Sequence, residues 1–453
     1  MKQYTRFSAR ASLAVVGVYL RQMKIWEVVE TWVQIRQKQI KHAPLDKLMD
    51  ALINILAGGQ GMVEVNTRVR SDPALQEAFG RSTCAEQSTI SQTLNACDGV
   101  AVEQMRQALQ AIYRAHSQGY LHRYERQYQV LDVDLTGLVA GCQAEQATKG
   151  YFSGHKNRRG RQLGRVLATQ YDEIVFEKLY PGTVQLEKNL QELVEGAEKV
   201  LELDPARRQH TLVRVDGGGG RDADINWLLS RDYSILVKVK NWLRARKLGQ
   251  SVQVWYPDPK VPERQIGWVT TPHPYVRPTH QLALRWAKAN GEWHYRVLVL
   301  NLSDARLFEL AGQPVPPHLT PEKLLAAIVN AYDLRGGGVE TTIKGSKGGL
   351  GVNKRNKRRF SAQEMLLLLA QLAYNLIAWV RRRLTDQRPT FQHFGMLRMV
   401  RDVFHIPGKV QMTNQGQLLS IILNRNHNLA LPFVEAMRLV LNSYDLCLIL
   451  RQI

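Results

Sequence analysis

The sequence predicts a mixed α/β protein in which a central sheet is flanked by helical regions toward both ends of the chain. Three observations support this prediction. Residues 1–125 carry apolar side chains at helical spacing with few strand signals. From Tyr128 onward, short apolar strands alternate with amphipathic helices. Residues 389–453 have the pattern of a small helical region, and 453 residues suffice for about two to four domains.

The first region, residues 1–125, contains amphipathic segments over 12–39, 45–57 and 102–115, each with the helical period. Between them, residues 84–94 resemble the recognition segment of a helix-turn-helix. In such a segment small polar side chains, here Ser88, Thr89 and Gln92, reach base edges or phosphates in a major groove. An ordinary capped helix explains the same residues equally well.

The second region, residues 126–243, has the alternation expected of an α/β sheet. Strands are predicted over 129–135, 162–169, 173–179, 210–215 and 233–239. Amphipathic helices are predicted over 186–201 and 222–230. This order favours a mixed sheet with helices packed on it.

Residues 244–318 interrupt that pattern with four predicted strands, over 251–256, 266–270, 281–287 and 292–300. Asn290-Gly291 supplies a hairpin turn before the last of them, and four tryptophans concentrate here. We therefore expect an inserted β-subdomain. The helical pattern returns in residues 319–388, which include a long apolar helix over 361–384.

The charge balance favours a polyanionic partner. The chain carries 61 Lys and Arg against 40 Asp and Glu, a formal charge of +21, and nucleic acid is the first candidate for such a surface. No uncharged apolar run reaches the ~18 residues of a membrane-spanning helix, so no membrane partner is expected. The longest, 365–380, is interpreted as a buried core helix. The start has no signal-peptide pattern, and four scattered cysteines fit a reducing cytoplasm rather than disulfides or structural zinc.

Acidic residues stand at the predicted strands of the second region. Asp132 and Asp134 alternate with apolar residues, so both carboxylates project to one side of their strand. Charges inside such a run are costly unless they are paired or bind metal. Asp216 ends a second apolar strand and precedes four glycines, where open α/β sheets place their sites. Salt-bridged acids and a plain glycine turn are the competing interpretation.

A third acid, Glu340, lies in the stretch YDLRGGGVETTIKGSKGGLG, residues 332–351. A helix over 339–347 would place Glu340, Lys344 and Lys347 on one face. An exposed Glu/Lys helix face is the ordinary meaning of this spacing. Three converging carboxylates, by contrast, can hold two Mg²⁺ or Mn²⁺ ions and activate a water or a 3′-hydroxyl for phosphoryl displacement.

At these residues the sequence resembles DDE-type bacterial insertion-sequence transposases whose catalytic glutamate lies in a Tyr-x2-Arg-x3-Glu-x6-Lys signature. Tyr332-x2-Arg335 and Glu340-x6-Lys347 match it, as does the segment LDVDLTGL at 131–138. Four residues separate Arg335 from Glu340 where the signature has three. The triple glycine between them can absorb the extra residue as a loop or bulge.

The resemblance implies an RNase H-like mixed sheet with helices on both faces, preceded by a helical DNA-binding and dimerisation region. It implies that Asp134, Asp216 and Glu340 bind the two metal ions; Asp134 is preferred to Asp132 because it fits the family's Asp-x-Thr pattern. Tyr332, Arg335 and Lys347 would bind phosphates near the transposon end. In relatives that form a hairpin intermediate, a tryptophan of the insertion stacks on a flipped base. The candidates for that role in this chain are Trp293 and Trp268.

Basic clusters extend the predicted DNA surface. One, residues 156–161, lies between the first two core strands and includes Arg158 and Arg159. Another follows the glutamate helix and includes Lys354, Arg355 and Arg358, and residues 381–383 add three arginines. Solvated surface explains each alone, but together they predict salt-dependent DNA binding.

The function that the resemblance implies is cut-and-paste transposition of double-stranded DNA, with cleavage at the ends of the element and strand transfer into a target. Synapsis of two ends implies a homodimer. Two alternatives remain open at this point. One is a transposase-derived DNA-binding protein that has lost its chemistry, and the other is a nuclease that cuts without strand transfer.

Overall fold

The structure, a computed structural model, describes residues 3–38, 41–154, 157–413, 418–441 and 446–453. The chain divides into two compact units. The first consists of Met1–Ser117, Leu138–Ala147 and Ile343–Ile453, and the second of Gln118–Gly137 and Thr148–Thr342.

The helices are α1 (Ala11–Gln22), α2 (Ile25–Trp32), α3 (Pro44–Leu56), α4 (Val65–Arg68), α5 (Pro73–Ala78), α6 (Gln87–Ala96), α7 (Gly99–His116), α8 (Leu190–Leu201), α9 (Pro205–Gln209), α10 (Asp222–Ser230), α11 (Trp242–Gln250), α12 (Asp304–Leu310), α13 (Pro321–Arg335), α14 (Thr341–Gly349), α15 (Phe360–Gln387), α16 (Met396–Arg398) and α17 (Ala430–Val440).

The strands are β1 (Gln3–Ser8), β2 (Gln129–Val139), β3 (Thr148–Lys149), β4 (Arg159–Ala168), β5 (Glu173–Pro181), β6 (Thr211–Val215), β7 (Ser234–Lys238), β8 (Tyr256–Pro257), β9 (Gln265–Trp268), β10 (His280–Ala287), β11 (Trp293–Leu300), β12 (Gly408–Thr413), β13 (Leu418–Asn424) and β14 (Cys447–Arg451).

The first unit is organised around α15, which contacts α3, α6, α7 and α17. Among the described residues, α15 alone has the length and apolar composition of a membrane span, and it is buried within this unit. The expectation of a buried core helix is therefore confirmed. The helical segment predicted over 12–39 is instead two helices, α1 and α2, because Lys24 between them adopts the left-handed conformation (φ 53°).

The prediction of a helical C-terminal region is wrong. Residues 389–453 contain β12, β13 and β14, which together with β1 form a four-stranded sheet in the order β1-β12-β13-β14. β1 and β13 pair antiparallel with β12, and β14 pairs parallel with β13. Because β1 and β12 come from opposite ends of the chain, no pattern of neighbouring residues predicts this pairing.

The second unit contains a ten-stranded sheet in the order β3-β4-β2-β6-β7-β11-β10-β9-β8, with β5 paired to β4. β2, β6 and β7 are parallel neighbours. The predicted strands over 129–135, 162–169, 173–179, 210–215 and 233–239 correspond to β2, β4, β5, β6 and β7, and the predicted helices over 186–201 and 222–230 to α8 and α10.

The strands expected to form a separate β-subdomain extend this same sheet. β11 pairs antiparallel with β7, and β10, β9 and β8 follow outward. Two helices that the sequence pattern did not predict, α11 and α12, flank these strands in the chain. The tryptophan-rich segment is therefore joined to the central strands through backbone hydrogen bonds.

Helix α13 packs on the sheet through a shared apolar core. Leu325 and Ile328 of the helix are fully buried in one cluster with Leu212, Leu236 and Leu300 of the strands. The parallel strands β6 and β7 are almost entirely buried, as expected for strands covered on both faces. This packing fixes the end of α13 over the edge where β2, β6 and β7 finish.

Candidate active site

The two aspartates of β2 have different surroundings. Asp132 is fully buried, and both of its carboxylate oxygens accept hydrogen bonds from Arg214 on β6, at 2.7 and 2.8 Å. Thr169 donates to the same carboxylate at 2.6 Å. Asp132 is therefore occupied in a structural ion pair, which leaves Asp134 as the carboxylate of this strand that is available to a site.

Asp134 lies two residues further along β2 and keeps some solvent access. Its Oδ2 is 3.1 Å from Nη2 of Arg335, and its Oδ1 accepts a hydrogen bond from the backbone of Leu135 at 2.8 Å. Burial raises the pKa of Asp134 to about 6, and the carboxylates of Asp216 and Glu340 add to this shift. The Arg335 charge opposes the shift without cancelling it.

Asp216 follows β6 directly and is held by the glycine turn. Its Oδ1 accepts the backbone N–H of Gly218 at 2.8 Å, and its carbonyl accepts that of Gly219 at 3.1 Å. A Cβ on Gly220 would lie 1.9 Å from the carbonyl oxygen of Lys238, so the turn packs too tightly against β7 for any side chain there. The glycines thus fix Asp216 at the carboxyl edge of the sheet.

Glu340 ends a π-helical turn, Gly336–Glu340, that joins α13 directly to α14. A π turn accommodates one residue more than an α turn, which accounts for the extra residue between Arg335 and Glu340. Gly338 is the position where the helix deviates (φ −87°, ψ −106°). A Cβ there would lie 2.7 Å from Oδ2 of Asp132 and 2.8 Å from Cγ2 of Thr169. The predicted bulge is therefore a packed feature that places Glu340.

Arg335, the last residue of α13, bridges two of the three acids. Its Nη1 donates to Oε1 of Glu340 at 3.1 Å while its Nη2 contacts Asp134, and the residue is only 4% exposed. Its Nε has no hydrogen-bond partner among the described residues. Tyr332, one turn earlier, packs against the apolar core, and burial raises the pKa of its hydroxyl.

Lys238 is a neighbour of Asp216 that the sequence pattern did not indicate. β6 and β7 are in register at Val215 and Val237, so Asp216 and Lys238 follow side by side. Burial lowers the pKa of Lys238, and Asp216 opposes that shift. Its ammonium forms no ion pair or hydrogen bond with any residue that the structure describes. A single lysine at a strand end gives no sequence signal, and only the strand register reveals its position.

The donor set at this edge suits a hard divalent cation. Asp134, Asp216 and Glu340 offer carboxylate oxygens, which Mg²⁺ and Mn²⁺ prefer. In the described part of the chain no three His, Cys, Asp or Glu side chains are gathered closely enough to hold a metal ion as they stand. The guanidinium of Arg335 lies between Asp134 and Glu340 and is the cation that these two carboxylates bind in this structure, which shows that they can share one positive charge.

Other predicted DNA-binding residues of the second unit lie at its surface. Arg158 and Arg159 are exposed at the start of β4, and Lys156 of the same cluster is outside the described residues. Trp293 is 42% exposed, and the guanidinium of Arg285 lies 4.3 Å from its ring centroid. Trp268 packs against the apolar core instead.

Trp293 lines a pocket of about 320 Å³ on the second unit. The other lining residues are mostly aromatic or basic: Trp242, Arg246, Gln250, Lys288, Glu292, His294, Tyr295 and Arg296. An aromatic wall among cations offers both stacking and phosphate binding.

In the first unit, the predicted recognition segment is helix α6. Ser88 and Gln92 are exposed one turn apart on it, while Thr89 is half-buried and donates to the carbonyl of Glu86 at 2.7 Å. Ile90 and Leu94 form its buried face. The helix therefore presents a polar face to solvent, as both interpretations of this segment require.

The basic residues of the first unit divide into exposed and buried ones. Lys344, Lys354 and Arg358 are exposed, and Lys347 is half-buried on α14. Arg355 is a correction to the predicted DNA surface: it is 2% exposed and donates to the backbone carbonyls of Leu350 and Gly59. Burial lowers the pKa of Arg355 to about 10, and its role is structural.

The similarity of the sequence to known proteins identifies the family. Residues 5–425 match the family described as transposase DDE domain group 1. The chain belongs to this family. The resemblance seen in the sequence is thereby confirmed, and the family is one of DNA transposases. No curated protein matches the chain. Among solved structures, it is similar to a piggyBac transposase in a synaptic complex with hairpin DNA, at 11% identity and a TM-score of 0.45, over 89% of this chain and 82% of that one.

Proposed function

We propose that this member of the DDE transposase family binds the ends of its insertion sequence, cuts them with two divalent metal ions and joins them to target DNA. Asp134, Asp216 and Glu340 would hold the metals. The observation that carries the proposal is the arrangement around Arg335, which bridges Asp134 and Glu340, while Asp216 follows the residue paired with Val133, next to Asp134.

The sheet supports an RNase H-like core. β6 and β7 run parallel to β2 on one side of it, and β4 and β5 continue the sheet on the other. In this arrangement Asp134 and Asp216 directly follow the last paired residues of the parallel strands β2 and β6, and Glu340 follows a helix packed on the sheet. Such an edge is where α/β sheets commonly place catalytic groups.

When bound, two metal ions would activate a water or a 3′-hydroxyl and stabilise the leaving oxygen of the phosphodiester. The chain's own residues would bind and orient the DNA strand. Lys238 would bind a phosphate there, which its position beside Asp216 and the lack of a partner for its ammonium among the described residues support. Tyr332 and Arg335 would bind neighbouring phosphates, with arginine able to do so bidentately.

The wider DNA contact would use the exposed cations and polar residues of each unit. In the second unit these are Arg158, Arg159 and the pocket around Trp293. In the first unit they are Lys344, Lys354 and Arg358, with Ser88 and Gln92 on α6. A net charge of +21 supports this binding electrostatically. We further propose a cytoplasmic homodimer, since synapsis of two ends requires two active sites.

The decisive experiment is Mg²⁺- or Mn²⁺-dependent cleavage of a labelled duplex carrying the end of the element. Asp134→Ala, Asp216→Ala and Glu340→Ala should each abolish cutting while end binding persists. Asp333→Ala is the matched control, because Asp333 lies on α13 but pairs with Arg264 rather than with the site. End binding without cutting by the unmodified protein, with either metal, would instead favour a DNA-binding protein that has lost its chemistry.

A second readout separates transposition from simple nuclease activity. The same reactions, run with a supercoiled target, should yield products in which the cut end is joined to target DNA. Cutting that depends on all three acids but gives no joined product would replace the transposase proposal with a structure-specific nuclease.

A further inference from the structure

We infer that Arg335 exchanges partners during the reaction: it bridges Asp134 and Glu340 in the metal-free protein, and metal binding releases it to a DNA phosphate. The inference rests on the proposed function, since it takes these acids to be metal ligands. It goes beyond that function by making Arg335 a device that couples metal loading to DNA binding.

The guanidinium of Arg335 lies between two of the proposed metal ligands. Its two terminal nitrogens each lie 3.1 Å from a carboxylate oxygen, one on Asp134 and one on Glu340. A metal ion bound by the same two carboxylates would occupy the same space with the same sign of charge. Because two cations in contact repel strongly in a largely buried setting, the metal and the guanidinium cannot share these oxygens.

The acids need a compensating positive charge in the metal-free protein. Asp134 is largely buried and has two other carboxylates as electrostatic neighbours, Asp216 and Glu340. Without a compensating charge such a group of acids repels and costs desolvation energy. Arg335 supplies that charge, so the acids are held together before any metal arrives.

The guanidinium of Arg335 is held loosely enough to be released from the two carboxylates. Nε of Arg335 has no hydrogen-bond partner among the described residues, and the contact of Nη2 with the carbonyl of Val133 is long, at 3.5 Å. Glu340 is half exposed, so one side of the bridge is open to solvent. A released guanidinium keeps its charge and can bind a phosphate through two parallel hydrogen bonds.

The consequence is reciprocal coupling. If metal binding frees Arg335 for a phosphate, then a phosphate that holds Arg335 must raise the affinity for metal by the same factor. The metal site of the free protein is thereby kept weak until DNA is present. This arrangement limits metal-dependent DNA cleavage by protein that has not yet bound an end of the element.

The test is Mn²⁺ binding to the full-length protein without DNA, followed by calorimetry or by the electron paramagnetic resonance signal of free Mn²⁺. Arg335→Gln should bind Mn²⁺ about 10-fold more tightly than the unmodified protein, within the usual range of coupling, while it cleaves DNA more slowly. Arg264→Gln is the matched control, since Arg264 also bridges two carboxylates, Asp258 and Asp333, on the same unit. Unchanged or weaker binding by Arg335→Gln, or an equal gain in the control, would overturn the inference.

Two further measurements complete the design. Arg335→Lys keeps the charge but cannot span both carboxylates, so it should fold normally and bind Mn²⁺ with intermediate affinity. Equal Mn²⁺ affinity in a folded Arg335→Lys protein and the unmodified protein would also overturn the inference. End DNA should raise the Mn²⁺ affinity of the unmodified protein more than that of Arg335→Gln, and an equal rise would contradict the coupling.

The proposed function is tested separately by adding Asp216→Asn to Arg335→Gln. Loss of Mn²⁺ binding in the double variant supports the acids as ligands, whatever Arg335 does. Persistent binding would refute the ligand assignment itself, and with it the proposed two-metal function. Binding that needs the acids but ignores Arg335 would refute the exchange alone.

Discussion

Arg214 holds Asp132 through both carboxylate oxygens, across the neighbouring strands β6 and β2. The two residues are direct partners in the strand register, and neither is more than 3% exposed. The same guanidinium donates to the carbonyl of Ala331 on α13 at 2.6 Å. One arginine therefore ties two strands to the helix that carries Tyr332 and Arg335, and the pair serves as the support of the candidate site.

Removal of Asp132 should destabilise the protein far more than removal of Asp134. Asp132→Ala leaves Arg214 buried without its partner, which typically costs about 3–5 kcal/mol in the free energy of unfolding. Asp134→Ala is the matched control, because Asp134 is two residues away on the same strand and retains solvent access. Urea denaturation measures both. Similar losses in the two variants would contradict the assignment of Asp132 as structural.

Gly338→Ala should disturb the π turn, whereas Gly337→Ala should not. A Cβ at position 338 would collide with Asp132 and Thr169, and such overpacking commonly costs about 1–3 kcal/mol. The collision would also displace Glu340, so cleavage should fall. A Cβ at position 337 meets nothing within 4 Å, and alanine there should be neutral or slightly stabilising. Thermal unfolding and end cleavage of both variants test this difference, which would be absent if the turn were loosely packed.

The stability of the metal-free protein should depend on pH through Asp134. Its pKa is raised to about 6 in the folded protein, above the ~3.9 of an unfolded chain, so the folded state binds this proton more tightly. The stabilisation from this proton is complete below the pKa that Asp134 has in the unfolded chain. It is lost as the pH rises through the folded pKa of about 6. Asp134→Asn should therefore gain stability relative to the unmodified protein between pH 4 and pH 7. A constant difference in melting temperature across that range would show that Asp134 has an ordinary pKa.

Lys238→Gln should weaken DNA binding by the loss of one phosphate contact. The plot of log affinity against log salt concentration should become shallower by about 0.9, the value for one phosphate on duplex DNA. End cleavage should also fall because the phosphate concerned lies at the reacting edge. Lys240→Gln is the control, since the Lys240 ammonium is already paired with Glu187. An unchanged salt dependence in Lys238→Gln would remove Lys238 from the DNA contact.

Trp293→Ala should reduce end binding if a base stacks in the adjacent pocket. Base–aromatic stacking contributes about 1–3 kcal/mol, so the binding free energy for a duplex with an unpaired end base should become less favourable by that amount. The fully paired duplex should lose less. Trp32→Ala, which alters an exposed tryptophan of the first unit, is the control. Equal losses on both duplexes would indicate that Trp293 only packs against Arg285.

The central strands were predictable, and the three candidate acids could be named, because their signals are local. β2, β6 and β7 are rich in apolar residues, Asp134 alternates with them on β2, Asp216 directly follows β6, and Glu340 lies in a matching signature. In the sequence, the preference for Asp134 over Asp132 rested only on the family's Asp-x-Thr pattern, since both occupy the same face of one strand. The structure adds a second reason, because Arg214, a partner far away in the sequence, pairs with Asp132 across the sheet.

The sequence by itself determined the family, the excess of basic residues and the three acids proposed as metal ligands, because charge and motif spacing can be seen without the fold. The tertiary structure alone decided that β11 extends the central sheet, that β1 pairs with β12, and that Lys238 lies beside Asp216. It also decided that Arg335 lies between Asp134 and Glu340 and that Arg355 is buried. Strand pairing and burial depend on segments distant in the chain, and their free energy appears only when those segments meet.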